Sequence, residues 1–139
     1  MSKSIKLVFS PVGGTGAGLA QSADGHTLLA DRPAGKASGS GLGFNGGELL
    51  AASLGGCFWN DLHYAAESAS ASDFRVERVD VKVDLAGEPL RVVRARIAAC
   101  LSGSDRQTLA RIFEAARSGS TIANSLSPAF PIDFEHVTG

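Results

Sequence analysis

The sequence predicts an α+β fold, with a long central helix and a second helix wrapped by antiparallel sheet. Three observations carry this. Eleven of the 17 glycines fall between Gly13 and Gly47, which makes that third a stretch of turns and connections. The run from Asn45 to Ala69 has no proline and spaces its apolar residues at a helical period. From Phe74 to Leu101 two segments alternate apolar and polar positions, the pattern of paired strands with one wet face.

The elements follow in order. Ile5 to Phe9 reads as a first strand, with Ile5, Leu7 and Phe9 on one face. Gly13-Gly14 and Ala23-Asp24-Gly25 make turns, the second leading into a short strand, Thr27 to Ala30. Asp31 to Phe44 has no period and is read as a long connection, a length usually kept for function. Asn45 is the helix N-cap, and Glu48 three residues on completes a capping box. Gly55 and Gly56 each cost about 1 kcal/mol relative to alanine inside a helix, so something must pack close to the backbone there. That points to a central, buried helix, and its wide apolar surface asks for a second chain as cover.

Beyond the helix, Val79, Val81, Val83 and Leu85 form one strand face. After a turn at 87–89, Val93, Ala95, Ile97, Ala99 and Leu101 form the facing one. Ser104 or Asp105 caps a second helix with the stripe Leu109, Ile112, Phe113 and Ala116. Ser118 to Pro131 is a loop or short helix, and Ile132 to His136 a last strand. The 139 residues make one domain, 1–139, and no internal repeat appears.

Composition excludes several classes of function. With 44% hydrophobic and 19% charged residues the chain is not disordered. Thirteen basic and 14 acidic residues leave a net charge of −1, so no nucleic-acid or anionic-membrane partner is expected. No apolar run is long enough to span a membrane. The opening Met-Ser-Lys-Ser-Ile-Lys lacks the apolar stretch of a signal peptide. Cys57 and Cys100 form no CxxC pair, so the expected setting is the cytoplasm, with free thiols.

Few motifs carry chemistry. GGTGAG at 13–18 lacks GxGxxG spacing, and Gly35-Lys36-Ala37-Ser38 lacks the framework of a phosphate loop. His26, His63 and His136 are scattered, and two isolated cysteines supply no zinc site, so neither metal nor cofactor is expected. Cys57 is the informative residue. It lies mid-helix, beyond useful reach of the helix dipole. At about 100° per residue Asn60, Asp61 and Tyr64 share its face, while Glu48 points almost the opposite way. A carboxylate one turn on, at Asp61, opposes a thiolate. From the residues alone a small buried hydrophobe in a tight helix is a more natural role for Cys57 than a nucleophile.

The stretch around Cys57 adds a resemblance. Asp31-Arg32-Pro33, the glycine-rich connection, and then Asn45-Gly46-Gly47-Glu48-Leu49-Leu50-Ala51-Ala52 leading to Cys57-Phe58 resemble the OsmC/Ohr family. These are the osmotically inducible and organic-hydroperoxide-resistance proteins, in which a similar run opens the central helix that bears a reactive cysteine. The order of elements fits over nearly the whole chain. The resemblance implies an intertwined homodimer with two thiol sites at the subunit interface. It also implies a thiol peroxidase cycle, in which a thiolate cleaves the peroxide O–O bond, becomes a sulfenic acid and is resolved by a second cysteine. In that cycle an arginine and a glutamate hold the thiolate ready.

This chain departs at each support. Gly47 stands at the position of the family's glutamate, Leu19 or Ala20 at that of its arginine, and Ser120 at that of its resolving cysteine. Arg32, the one arginine ahead of the helix, is left to substitute from the loop. Cys100 falls on the polar face of its strand by parity and is a poor resolver. The resulting expectation is an OsmC-like stress protein in which Cys57, aided by Arg32, reduces small organic hydroperoxides with an external thiol as resolver. Phe44, Phe58, Trp59 and Tyr64 would line an apolar substrate pocket. The alternative is a non-catalytic, small-ligand-binding or redox-responsive protein on the same scaffold.

Overall fold

In a computed structural model, residues 2–137 are described, and the chain divides into two compact units, one up to Leu49 and one from Leu50 on. The first unit holds an antiparallel meander of β1 (Leu7–Pro11), β2 (Gly18–Ser22) and β3 (Thr27–Ala30), in that order across the sheet. β1 starts two residues later than the apolar pattern suggests and ends on Pro11, which an edge strand tolerates because its outer N–H has no ladder partner. β2 is a strand that the pattern did not announce. Gly-Leu-Ala-Gln-Ser has no β-branched residue, and what makes it a strand is pairing on both sides.

The connection from Asp31 to Phe44 is irregular in backbone but tied together by Asp31. Its buried carboxylate accepts from the backbone N–H groups of Arg32 at 2.8 Å, Leu42 at 3.0 Å and Ser40 at 3.1 Å. Those donors hold the carboxyl below the usual carboxylate range, Leu42 first among them, against a burial that pushes it up. The connection closes on a parallel bridge between Phe44 and Ala30. Helix α1 (Gly46–Ser68) then starts on the capping box read from the sequence: Glu48 N–H donates to Asn45 Oδ1 at 2.8 Å, and Asn45 N–H to Glu48 Oε1 at 3.0 Å.

In the second unit α1 lays the stripe Leu54, Phe58, Leu62 and Ala66 into the core. Leu50 and Ala65 pack beside that stripe and Cys57 is half-buried, but Trp59 and Tyr64 are exposed, so within one chain the helix is not buried all round. The hairpin is β4 (Arg75–Ala86) and β5 (Arg91–Ser102), antiparallel. Gly55 lies close against the sheet. A Cβ there would stand 2.8 Å from Val81 Cγ2, whereas one on Gly56 would meet nothing within 4 Å. The close approach inferred from the glycine pair therefore belongs to Gly55 alone.

Two inward positions assigned by alternation need correction. Leu85 and Val93 are exposed, at 47% and 42%. The register shifts between Asp84, which faces Arg94, and Leu85, which faces Val92. This bulge leaves Val93 as an extra residue and reverses the side-chain parity beyond it. Helix α2 (Arg106–Gly119) is capped by Asp105, which accepts from Thr108 N–H, and it buries Ile112, Phe113 and Ala116. Short helix α3 (Thr121–Leu126) follows. The crossover through both helices brings β6 (Ile132–Val137) alongside β5 in parallel, so this sheet, of order β4-β5-β6, is mixed and not purely antiparallel.

Candidate functional site around Cys57

Cys57 sits three turns into α1, half-buried, with a free thiol. Two side chains reach its sulfur. The thiol donates to Asp61 Oδ2 at 3.4 Å, one turn on along the same helix. From the other side the hydroxyl of Ser120 donates to Sγ at 3.7 Å, within the range of a hydrogen bond to sulfur. Ser120 is wholly buried and marks the junction of α2 and α3, where its backbone N–H caps the Arg117 carbonyl. The helix period alone placed Asp61 on the face of Cys57. Ser120, 63 residues away in sequence, was reachable only through the correspondence with the family's resolving cysteine.

The aromatic residues expected around a pocket separate. Phe58 is fully buried and its ring packs against Phe113 at 5.4 Å and Phe134 at 5.1 Å, which makes it a core residue in this chain. Trp59 is 43% exposed, with His63 beside it at 5.5 Å; the His63 ring in turn lies 5.8 Å from Phe74, and its Nδ1 is 2.8 Å from the Trp59 carbonyl. Tyr64 is exposed and borders a groove of about 280 Å³ between α1 and α2, which the sequence did not reveal and to which Asp61 also belongs.

In the first unit Phe44 borders a separate groove of about 490 Å³ with Leu29, Leu42 and Glu48. Arg32 spends its donors locally. Its Nη2 donates to the Gly16 carbonyl at 2.7 Å and its Nε to the Ala37 carbonyl at 3.1 Å, with Asp31 Oδ1 at 3.7 Å from Nη2. Gly16 has to be glycine for this, because a Cβ there would lie 2.8 Å from Arg32 Nη2 and closer still to the Ser38 carbonyl. Cys100 is a free, half-buried thiol in the middle strand, between Arg78 and Val137. Among the described residues no group of three His, Cys, Asp or Glu side chains comes together as a metal site, and no helix is long and apolar enough to cross a membrane.

A family model for OsmC-like proteins matches residues 38–135, a span that includes Cys57, Asp61 and Ser120. The chain belongs to the OsmC-like protein family. Solved structures share the OsmC-like fold over nearly their full lengths. A hypothetical protein from Aquifex aeolicus superposes with a TM-score of 0.73 at 12% identity, over 99% of this chain and 98% of that one. The organic hydroperoxide resistance protein OhrB of Bacillus subtilis does so at 0.68 and 19% identity, covering 97% and 98%. An organic hydroperoxide resistance protein from Elizabethkingia anophelis gives 0.69 and 17%, covering 100% and 99%. No curated protein sequence matches. At such identities the likeness of these OsmC-type structures carries the fold, and the chemistry has to be argued from this chain's own residues.

Proposed function

We propose that this OsmC-like protein reduces small organic hydroperoxides as a one-cysteine enzyme, with Cys57 as nucleophile and an external thiol as resolver. The supporting observation is the Ser120 hydroxyl at 3.7 Å from Cys57 Sγ. By the resemblance, this alcohol corresponds to the resolving thiol of the family's peroxidases. It can hydrogen-bond a thiolate or a sulfenic oxygen but cannot form a disulfide, so resolution has to come from solution. Atoms balance as Cys57–SH plus ROOH giving Cys57–SOH plus ROH. A thiol-rich reducing compartment such as the cytoplasm would supply the reductant. Arg32 is proposed as the activating cation on sequence grounds. Trp59 and Tyr64, the exposed aromatics of α1, are proposed as substrate contacts.

The working form is proposed to be a homodimer of single 1–139 domains. Among the described residues the first unit buries only Ala17, Ala20 and Asp31, while β1 is exposed at every position, Leu7, Val8 and Phe9 included. A sheet with that much open apolar surface needs a partner. Light scattering at low micromolar concentration should give twice the 14.2 kDa of one chain. The chemical test is consumption of tert-butyl hydroperoxide with dithiothreitol. Wild type turns over, Cys57→Ser does not, and equal rates in the two would overturn the reading.

One observation favours the second reading, a non-catalytic ligand-binding or redox-responsive protein. Arg32's guanidinium already bonds two backbone carbonyls, and the groove beside Phe44 is open. Binding of an apolar probe without any peroxide turnover would select it.

A further inference from the structure

We propose that the groove between α1 and α2 is where the external reductant approaches Cys57, and that it selects small thiols bearing a positive charge, aminothiols, over anionic ones. This rests on the one-cysteine reading above and names its missing co-substrate.

The helix period aligns the parts. Cys57, Asp61, Tyr64, Ala65 and Ser68 stand at i, i+4, i+7, i+8 and i+11 on α1, one continuous face. The last four border the groove, and Ala115 and Gly119 of α2 border it from the other side. Gly119 immediately precedes Ser120, whose hydroxyl touches the sulfur. The groove thus has Asp61 in common with the thiol and ends one residue short of Ser120, the side chain that touches the sulfur. At about 280 Å³ and with small residues on both helices, it suits a molecule of a few heavy atoms rather than a bulky one.

Its charge is one-sided. Among the described residues Asp61 is the only charged side chain bordering it. Among the described residues no basic side chain is paired with Asp61, and the nearby Arg117 of α2 is held by Glu114. An ammonium group two or three bonds from an incoming sulfur can pair with Asp61 while that sulfur reaches Cys57. A carboxylate in the same place would be repelled. The step balances: RSH attacks the Cys57 sulfenic acid, an S–S bond forms, the S–O bond breaks, and the hydroxyl leaves with the thiol proton as water. A second RSH releases RSSR and restores the Cys57 thiol.

The test uses full-length protein oxidised with one equivalent of tert-butyl hydroperoxide and then mixed with cysteamine, 2-mercaptoethanol or 3-mercaptopropionate. The loss of sulfenic acid is followed with a dimedone probe, and rates are corrected for the thiolate present. In wild type cysteamine should exceed mercaptopropionate by about tenfold or more, a preference that shrinks with added salt. In Asp61→Asn that ratio should collapse to within about threefold. Ala115→Leu, on an exposed position of α2, should slow all three thiols by narrowing the groove. Equal rates for the two charged thiols in wild type, or an unchanged ratio in Asp61→Asn, would overturn the groove assignment and leave the peroxidase reading standing. No sulfenic acid at Cys57 and no turnover with dithiothreitol would overturn both.

Discussion

Ser120 donates its hydroxyl to the sulfur of Cys57 across 3.7 Å, joining the end of α2 to the middle of α1. Cys57 thus stands between an O–H donor on one side and the Asp61 carboxylate acceptor on the other. Both partners are single side chains that can be changed one at a time.

Ser120→Cys follows directly. It exchanges oxygen for sulfur at a buried position already in contact with Cys57 Sγ, so a disulfide needs only a small further approach. With one equivalent of organic hydroperoxide the variant should lose two mass units as a 57–120 disulfide, and wild type should keep a dimedone-reactive Cys57. Ser120→Ala should remove the donor and cost about 1 kcal/mol of stability. A Ser120→Cys variant that forms no bridge between positions 57 and 120 after oxidation would contradict the geometry.

Gly55 and Gly56 should respond in opposite directions. Alanine at Gly56 meets nothing and improves helix propensity, a gain of about 0.5–1 kcal/mol. Alanine at Gly55 drives its methyl to 2.8 Å from Val81 Cγ2. The hairpin must then shift, at a cost of about 1–3 kcal/mol that outweighs the same propensity gain. Urea unfolding of the two variants decides it, and stabilisation by both would show that the sheet yields freely.

The same positions show what sequence reasoning can reach. The start of α1 was legible because a capping box is a local code, Asn45 and Glu48 three residues apart. The hairpin was legible because one wet face forces alternation. What escaped was non-local. The bulge that turns Leu85 and Val93 outward depends on pairing register, which no single strand carries. β2 is a strand only because β1 and β3 flank it. At the site, Asp61 followed from the helix period. The Cys57–Ser120 contact spans 63 residues and follows from no periodicity, and the groove exists only because two helices leave space between small residues.

Asp31 should make the 31–44 connection sensitive to acid. Its carboxyl is held below the ordinary value, chiefly by the Leu42 N–H with Arg32 and Ser40 adding to it. The unfolded chain therefore takes up the proton first. The stability from this group is fully present above the ordinary aspartate value of about 3.9 and is lost as pH falls through the lowered native one. Asp31→Asn should mimic that loss at neutral pH. Amide exchange at Ser40 and Leu42, whose N–H groups it bonds, should quicken by about tenfold or more once those charge-assisted bonds are weakened. Exchange unchanged at both amides would mean that the connection is held by its other contacts.

His136 gives the second pH dependence, in a higher window. It lies on β6 with its ring stacked on Phe113, centroids 4.9 Å apart and planes within 12°. Burial pushes its imidazole below the ordinary value, because a charged ring would lose solvation against the phenyl face of α2. Above the ordinary histidine value of about 6.5 both states are neutral and the group is silent. As pH falls through that value the unfolded chain gains the proton first and stability drops. The drop ends once pH has passed through the lowered native value. His136→Phe preserves an aromatic stack and cannot titrate. The urea midpoint of wild type should therefore fall further than that of His136→Phe between pH 8 and pH 5, with the carboxylate contributions common to both. Parallel falls would show that His136 is protonated as readily in the folded protein as in the unfolded chain, and that the stack on Phe113 does not exclude the charged ring.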